Sequence, residues 1–441
     1  MAFAGAAFAP LPPESRRVRL NLSLGALAAG NLLVALATQW YVVTRLGVGV
    51  STDALFAGMA VPQLVLEIGS GSLMHVLVPL LASEESERFR RTTWALFLGI
   101  GGLFSVLAVL LAMTAPWWLR ALLPGFSPSA LGLTVSLTRI QLVGMVSTAL
   151  LSVLWSAYHA RSRFLWAEFA PVLAGVMAFG VLVIALPRFG VSAAAWANVG
   201  RSALAAAMLL PVLGAWRRPD WRSPELALTW QRLRPLLIGT SYYKADPLVD
   251  RYLASMAPAG GLSILYIGRQ IWGAAGQIAN RAIASPMVPV FAAYAKQGAW
   301  VEFRRGLKER LLWAAVLTGG GFAVFLVAGQ PVLRLLIGHG GVTSGNVTDL
   351  WRVMVGLGGI LIAGTMGQLT SAAFYSCGDT KTPTRLGIIT FSLYIPAKIA
   401  AFFYFGLMGV AVATSAFFAV NLALQLLLLH RSLGSRIEAA A

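Results

Sequence analysis

Apolar residues fill long windows of the chain, and the short polar stretches between these windows carry most of its charged residues. A membrane-spanning helix needs about 20 consecutive, mostly apolar residues. Six windows of roughly that length precede the polar stretch 216–234, and six follow it. Their predicted bounds are 20–44, 54–81, 92–113, 131–158, 164–186, 191–213, 235–256, 262–294, 311–328, 350–376, 386–405 and 406–429. The pattern predicts an all-α membrane protein with about twelve transmembrane helices.

The basic residues of the predicted loops support this count of helices. Short cytoplasmic loops are enriched in Lys and Arg. Most loop Lys and Arg residues fall on one side of the arrangement, and the opposite side holds four, Arg45, Arg120, Arg188 and Arg334. Both termini are therefore expected in the cytoplasm. The expected organisation is a cytoplasmic segment 1–19, a first six-helix lobe 20–215, a basic cytoplasmic linker 216–234, a second lobe 235–429 and a cytoplasmic tail 430–441.

Composition excludes several classes of protein. Of the 441 residues, 58% are hydrophobic and 11% are charged, whereas soluble domains have about 25% charged residues. A soluble enzyme is thus excluded. A single cysteine, Cys377, and four histidines leave no basis for a disulfide framework or a Cys/His metal site, and no cofactor is expected. The formal charge of +18 follows the loop topology, so it does not indicate a nucleic-acid partner.

The two halves of the chain resemble each other at an offset of 210 residues. The matching residues are Leu55, Phe56 and Gly58 with Leu265, Tyr266 and Gly268; Glu67 and Ile68 with Gln277 and Ile278; and Val78, Pro79 and Ala82 with Val288, Pro289 and Ala292. The second span thus repeats as the eighth. An even number of crossings between them makes the repeat parallel, which predicts two six-helix lobes around a cleft, as in transporters.

Several charged residues fall within the predicted spans. The basic ones are Arg139, Arg201, Lys244, Arg251, Arg269, Arg281, Arg352 and Lys398, and the acidic ones within or beside spans are Asp53, Glu67, Glu168, Asp246, Asp250 and Asp349. A charge that faces lipid costs at least roughly 2.5–3.5 kcal/mol at the membrane centre, so such side chains face water or a partner. The excess of cations indicates an anionic substrate. The alternative is that each charge pairs locally or reaches the membrane surface.

The seventh span carries two charges of each sign. On one continuous helix, Lys244 and Arg251 share a face, and Asp246 and Asp250 share the opposite face. Pro247 between them is expected to kink the helix. Either one face serves the cleft and the other holds neighbouring helices, or all four charges form a structural network.

The eighth span places Arg269, Gly273, Gly276 and Asn280 along one stripe, with Gln277 beside it. The second span offers Gln63, Glu67, Ser70 and Gly71 at related positions. Small residues in such stripes commonly allow close packing of helices. Arginine needs another explanation, and a guanidinium can bind phosphate oxygens in a bidentate manner.

Several strings in this order resemble the MurJ/MviN lipid II flippases of the MATE-like exporter superfamily. They are Ser51-Thr52-Asp53-Ala54-Leu55-Phe56 with Pro62, Val78-Pro79, Arg163-Phe164 with Ala170-Pro171-Val172, Val249-Asp250-Arg251-Tyr252-Leu253-Ala254-Ser255, Leu265-Tyr266-Ile267-Gly268-Arg269, Met287-Val288-Pro289, and Phe374-Tyr375 with Gly378-Asp379-Thr380-Lys381-Thr382-Pro383. The resemblance spans nearly the whole chain.

The resemblance implies a flippase of the bacterial cytoplasmic membrane that works by alternating access. Its substrate would be lipid II or a related polyprenyl-diphosphate-linked saccharide, moved from the cytoplasmic to the outer leaflet, with membrane lipids as further partners and the protein acting as a monomer. Where the family has basic residues in the second span, this chain has Leu66 and Glu67. It also has two predicted helices fewer than typical lipid II flippases, so a related lipid-linked oligosaccharide is an alternative substrate.

The candidate substrate-binding residues combine the resemblance with the position of charges in the spans. Asp53 and Arg269 match the family motifs directly. The full set is Arg269, Asp53, Lys244, Arg251, Arg281, Gln277, Asn280 and Glu67.

Two other functions remain open at this point. A MATE-like exporter of small organic molecules would use Asp53, Glu67, Asp246 and Asp250 for a coupling cation, although the excess of basic residues argues against it. A membrane prenyltransferase would use Asp246 and Asp250 to bind a Mg²⁺–diphosphate, but the sequence contains no second Asp-rich cluster. A transporter is thus favoured over an enzyme.

Overall fold

The computed structural model describes residues 14–82, 84, 86–219, 221, 242 and 244–440, and within them the chain is all-α. The helices are α1 Glu14–Leu46, α2 Val50–Gly58, α3 Ala60–Ala82, α4 Ser86–Leu122, α5 Pro128–Ala160, α6 Phe164–Phe189, α7 Val191–Leu209 (followed by a 3₁₀ turn, Leu210–Leu213), α8 Asp246–Ser255, α9 Gly261–Ile283, α10 Met287–Gln297, α11 Trp300–Ile337, α12 Ser344–Gly356, α13 Gly358–Ser376 and α14 Lys381–Ala440. The all-α class is confirmed, and the predicted spans account for these helices.

Several predicted spans are interrupted helices. The second span is α2 and α3, the eighth is α9 and α10, and the tenth is α12 and α13. The eleventh and twelfth join in α14 at Gly406, whose backbone is not helical (φ 60°, ψ −142°). Glycine adopts positive φ without the steric cost of a Cβ atom, so the chain can bend there.

Eight helical stretches in the described part of the chain are long and apolar enough to cross a membrane: Leu22–Leu46, Glu87–Leu122, Pro128–Ala160, Phe164–Phe189, Val191–Leu213, Trp300–Ile337, Ser344–Ser376 and Lys381–Glu438. Large apolar side chains on them point outward, among them Val106 on α4 and Val327 on α11, which are 60% and 84% exposed. Exposed apolar surface on this scale is the surface that lipid covers.

The seventh span is interrupted at the place where the sequence predicts a kink. Tyr242 and Lys244 are helical, Ala245 is a turn, and α8 begins at Asp246. Pro247 is the second residue of α8, and it has no amide hydrogen with which to continue the preceding helix. The preceding part of this span, 235–241, lies outside the described residues, as do most of the predicted linker 216–234, residues 1–13, and the side chains of Ser70 and Gly71.

The chain forms two compact units. The first unit comprises the residues up to Leu46 together with Ala54–Leu248, and the second comprises Gly47–Asp53 together with Val249–Ala441. The short segment Gly47–Asp53 therefore belongs with the second half of the chain.

Within the first unit, α5 is the central helix and packs against α3, α4, α6 and α7, while α1 packs against α6. Within the second unit, α13 packs against α9, α11 and α14. One apolar core of the second unit includes Phe291, Phe303, Phe374 and Leu433. The predicted tail 430–441 continues α14 as a helix up to Ala440. Leu433, in this last part of the helix, is buried in the core.

Candidate functional site

A cluster of three charged side chains lies inside the second unit. The Asp250 carboxylate on α8 forms ion pairs with Arg269 on α9 and with Lys398 on α14. The side chains of Asp250 and Lys398 are 6% and 0% exposed, whereas that of Arg269 is 25% exposed. Two cations surround one carboxylate, so these three groups carry a net charge of +1. Arg269 is the member that can reach a ligand.

The surroundings of Lys398 explain how a fully buried ammonium group is tolerated. Its Nζ lies 4.9 Å from the centre of the Tyr394 ring, which is within the range of a cation–π contact. The Tyr394 hydroxyl is in turn 2.8 Å from the Thr414 hydroxyl. A buried charge needs a partner of opposite sign and further polar contacts, and Asp250 and Tyr394 supply them. Lys398 is therefore held in one place.

The sequence shows that Lys398 is a charged residue within a predicted span. It does not indicate that Lys398 lies near Arg269, because 129 residues separate the two. Its one signal is a lysine inside an otherwise apolar window. Intramembrane charges of this kind normally have a partner, but the sequence does not say which one.

Asp53 binds the beginning of α9. Its carboxylate accepts hydrogen bonds from the Gly260 amide (2.6 Å), the Ser263 amide (2.8 Å) and the Ser263 hydroxyl (2.6 Å). The first amides of a helix have no partners within it and carry partial positive charge, so a carboxylate stabilises them. Asp53 and Ser263 are also separated by the 210 residues of the sequence repeat. Asp53 thus fixes the start of the helix that carries Arg269.

The remaining candidates have different surroundings. Arg251 is buried, with its guanidinium 5.5 Å from the centre of the Tyr266 ring. Lys244, in the first unit, donates a hydrogen bond to the backbone carbonyl of Glu67, whose own side chain is exposed.

Three candidates lie further along α9. Gln277 and Arg281 are exposed, and Asn280 lines a cavity inside the second unit. The structure thus joins Arg269 to Asp250 and Lys398, and it gives Asn280 neutral neighbours.

Asp250 also bears on the two other functions that the sequence leaves open. Asp250 is one of the carboxylates that a coupling cation or a Mg²⁺–diphosphate would use as a ligand. In the structure this carboxylate is already paired with two cationic side chains. Among the described residues, no group of three or more His, Cys, Asp or Glu side chains could hold a metal ion.

The apolar helices, the two compact units and the likeness to a solved transporter structure define the class of fold: a multi-pass helical membrane protein with a MATE-like fold. A solved structure described as an inward-facing MATE family multidrug transporter of the MOP superfamily superposes with a TM-score of 0.72. That alignment has 17% identity and covers 93% of this chain and 96% of the transporter.

Sequence comparison narrows the class to a family. The family described as "Lipid II flippase MurJ" matches residues 42–440, so the chain belongs to the MurJ family. A relative described as "Probable lipid II flippase MurJ" from Buchnera aphidicola subsp. Acyrthosiphon pisum (strain APS) is 22% identical over 404 residues, which are 88% of this chain and 78% of the relative. The structure described as lipid II flippase MurJ in an inward closed conformation superposes with a TM-score of 0.79 at 16% identity, covering 92% of this chain and 87% of that one.

Proposed function

We propose that this protein is a flippase that moves a lipid-linked cell-wall precursor from the cytoplasmic to the outer leaflet by alternating access. The precursor is lipid II or a related polyprenyl-diphosphate-linked saccharide. Membership of the MurJ family and the similarity to proteins described as lipid II flippases support the class of substrate.

The observation that carries the proposal is the cationic cluster. A diphosphate is the anionic part of such a lipid, and a guanidinium binds phosphate oxygens with paired hydrogen bonds. Asp250 orients Arg269, while Lys398 neutralises the charge of Asp250. The cluster therefore keeps an unneutralised positive charge, and Arg269 presents it.

The same geometry favours a flippase over the cation-coupled exporter. A coupling cation at Asp250 would have to compete with Lys398, whose ammonium group is completely buried against that carboxylate. An anion at Arg269 would instead complete the charge balance of the cluster.

The proposal is tested by depleting the protein in its host and by reconstituting it in liposomes. Depletion should make the polyprenyl-diphosphate saccharide accumulate on the cytoplasmic leaflet. Purified protein should move a fluorescent analogue of that lipid across the bilayer. The variant Arg269→Ala should be inactive in both assays, whereas the matched control Arg305→Ala should be active, because Arg305 is 82% exposed on α11 and pairs with Glu309. Normal precursor distribution after depletion, with no movement in liposomes, would contradict the proposal.

The orientation is part of the proposal: the protein lies in the cytoplasmic membrane with both termini in the cytoplasm. Cys377, between α13 and α14, should then be cytoplasmic. Burial raises the pKa of its thiol, so labelling needs mildly alkaline buffer and long reaction times. An impermeant maleimide should label Cys377 only in permeabilised cells.

The matched control for orientation carries Gly125→Cys in a Cys377→Ser background. Gly125 lies between α4 and α5, on the opposite side of the predicted membrane arrangement. It should be labelled in intact cells. The reverse pattern at the two positions would overturn the orientation.

A further inference from the structure

A cavity of about 490 Å³ lies inside the second unit, bounded by α9, α10, α13 and the second half of α14. None of its sixteen lining residues is charged. Its hydrogen-bonding groups are mostly neutral amides and hydroxyls, and we call it the amide cavity after Asn280, Gln368, Ser371, Asn421 and Gln425. Its volume is within the range of small-molecule sites, which is about 300–1,000 Å³.

The amides of this cavity are held in place by a chain of hydrogen bonds. The Ser371 hydroxyl donates to Gln425 Oε1 (3.0 Å), Gln425 Nε2 donates to Asn421 Oδ1 (2.6 Å), and Asn421 Nδ2 donates to the Thr390 hydroxyl (3.0 Å). Each side-chain amide has two N–H donors and an oxygen with two lone pairs, so these bonds use only part of its capacity. The cavity thus offers oriented donors and acceptors to a ligand.

Aromatic rings form another part of the lining. Phe417, Phe418 and Tyr375 all border the cavity. The rings of Phe417 and Phe418 are 5.3 Å apart between centres, and Phe417 also stacks on Tyr394 at 4.6 Å. The cavity therefore combines flat apolar surfaces with neutral hydrogen-bonding groups.

A lipid-linked saccharide has three parts, the diphosphate, the hydrocarbon tail and the saccharide. The chemistry of the lining indicates which of them the cavity can bind. A diphosphate would require cations, and none lines the cavity. A hydrocarbon tail would offer no partner to the donors and acceptors that the network leaves unused, and shielding them from water costs free energy. A saccharide ring has hydroxyl or acetamido groups for the amides and an apolar C–H face for the aromatic rings. The lining chemistry fits the saccharide.

The position of the cavity relative to Arg269 follows from α9 itself. Asn280 follows Arg269 by eleven residues on this helix, which is about 16 Å along its axis and returns to nearly the same face. Gly273 and Gly276 lie between them on that face. The helix thus carries a cationic group for phosphate and, further along, an opening to neutral polar groups.

We propose that the amide cavity binds the saccharide of the lipid-linked substrate while Arg269 binds its diphosphate. This inference rests on the proposed function and adds a second, separable binding region to it. The cavity would let the protein distinguish a saccharide-bearing lipid from the bare polyprenyl diphosphate.

Gly367 provides a way to block the cavity without disturbing its network. It lines the cavity, and a Cβ atom placed there would meet no heavy atom within 4 Å. The variant Gly367→Leu should therefore fill the space and remain folded. Gly320 on α11 is a matched control, since a Cβ there also meets nothing within 4 Å and it does not line the cavity. Asn421→Ala is a second variant that removes one amide and adds no volume.

The experiment measures equilibrium binding to purified protein in nanodiscs with two probes. One is a polyprenyl diphosphate carrying an N-acetylated disaccharide, and the other is the same lipid without sugar. The wild type should bind the first at least about tenfold more tightly, which is about 1.4 kcal/mol. Gly367→Leu and Asn421→Ala should abolish or reduce this preference without changing the affinity for the bare lipid. Gly320→Leu should keep the preference, and Arg269→Ala should weaken both probes.

Each other outcome has a defined meaning. If the wild type binds both probes equally, or if Gly367→Leu and Asn421→Ala both keep the full preference while they melt like the wild type, the saccharide site is refuted and the proposed function stands on Arg269. If Gly367→Leu weakens both probes to the same degree, the cavity holds the hydrocarbon tail, and the proposal is also refuted. If the wild type binds neither probe, the proposed function itself fails.

Discussion

The charged cluster and the amide cavity are two polar regions of the same unit, and both involve α9. In the cluster, Asp250 is paired with Arg269 and Lys398, and the three groups sum to +1. In the cavity, Gln425 and Asn421 are linked to each other and to hydroxyl groups, and no charge is present. A charge in a low-dielectric interior must be paired, which fixes its geometry, whereas a neutral amide needs only a hydrogen bond. One region is therefore suited to an anion and the other to a neutral polar group.

The largest expected effect comes from removing the one carboxylate of the cluster. Asp250→Asn leaves two cations side by side, one of them fully buried, and should lower the free energy of unfolding by about 3–5 kcal/mol. Lys398→Met should cost less, because Asp250 keeps Arg269 as its partner. Thermal unfolding of the two variants in detergent measures which of them loses more stability.

The double variant sharpens this test. Asp250→Asn with Lys398→Met removes the buried ammonium together with its partner, so it should be more stable than Asp250→Asn alone. Additive losses would show that the two side chains do not interact in the way the structure indicates.

The next effect separates function from stability within the cluster. Arg269→Ala leaves Asp250 paired with Lys398, so the protein should fold while substrate affinity falls about 10- to 100-fold, as expected for losing a charged hydrogen bond of roughly 1.5–3 kcal/mol. Arg269→Lys should restore part of the affinity, since an ammonium keeps the charge but not the planar donor pair. Binding of the bare polyprenyl diphosphate measures both. Equal affinity in the wild type, Arg269→Ala and Arg269→Lys would show that Arg269 does not bind the substrate.

A smaller effect is expected in the neutral region. Ser371→Ala removes the hydroxyl that donates to Gln425 and should cost about 0.5–1.5 kcal/mol of unfolding free energy, the net value of one neutral hydrogen bond. It should leave the affinity for the bare polyprenyl diphosphate unchanged. A loss as large as that of Asp250→Asn would mean that the amide network supports the fold as strongly as the charges do.

The smallest effect concerns an acidic residue outside the membrane-spanning helices, which contrasts with Asp250. Asp379 accepts hydrogen bonds from the side chain and backbone N–H of Thr382 and from the Lys381 amide, and these lower its pKa. A carboxyl with a lowered folded pKa stabilises the fold above its unfolded pKa, about 3.9, and this stabilisation is lost as pH falls through the folded pKa. Because solvent screens this carboxyl, Asp379→Ala should cost only about 0.5 kcal/mol at pH 7.

The difference in melting temperature between wild type and Asp379→Ala should shrink below about pH 4 and stay constant between pH 6 and 8, because the carboxyl is ionised in both states there. A difference that grows on acidification would contradict the sign of the shift.

The pattern of residues predicts some members of the candidate site but not their partners. Arg269 stands out as a cation within an apolar window, and Asp53 stands out by its position at the start of a span and by its family motif. The partners of both come from other parts of the chain: Lys398 on α14 and Asp250 on α8 for Arg269, and the first turn of α9 for Asp53. The helical periodicity of one span carries no information on which other span packs against it.

The seventh span shows what a single residue type can predict. Lys244 is helical, Ala245 is a turn and α8 begins at Asp246, so the helix is interrupted where the sequence predicts a kink. Proline lacks the amide hydrogen that continues a helix, so its position indicates the break. The size and direction of the bend depend on packing between helices, which the pattern of one span does not contain.

The sequence by itself determined the all-α membrane class, because apolar windows long enough to span a bilayer are a local property of the chain. It also determined the family and the excess of positive charge within the spans. Only the tertiary structure decided which charges neutralise one another, that Asp53 binds the beginning of α9, and that Asn421, Gln425 and Ser371 join in one cavity. The reason is that ion pairs and hydrogen bonds depend on distances of about 3 Å between atoms that the chain brings together from residues far apart in sequence.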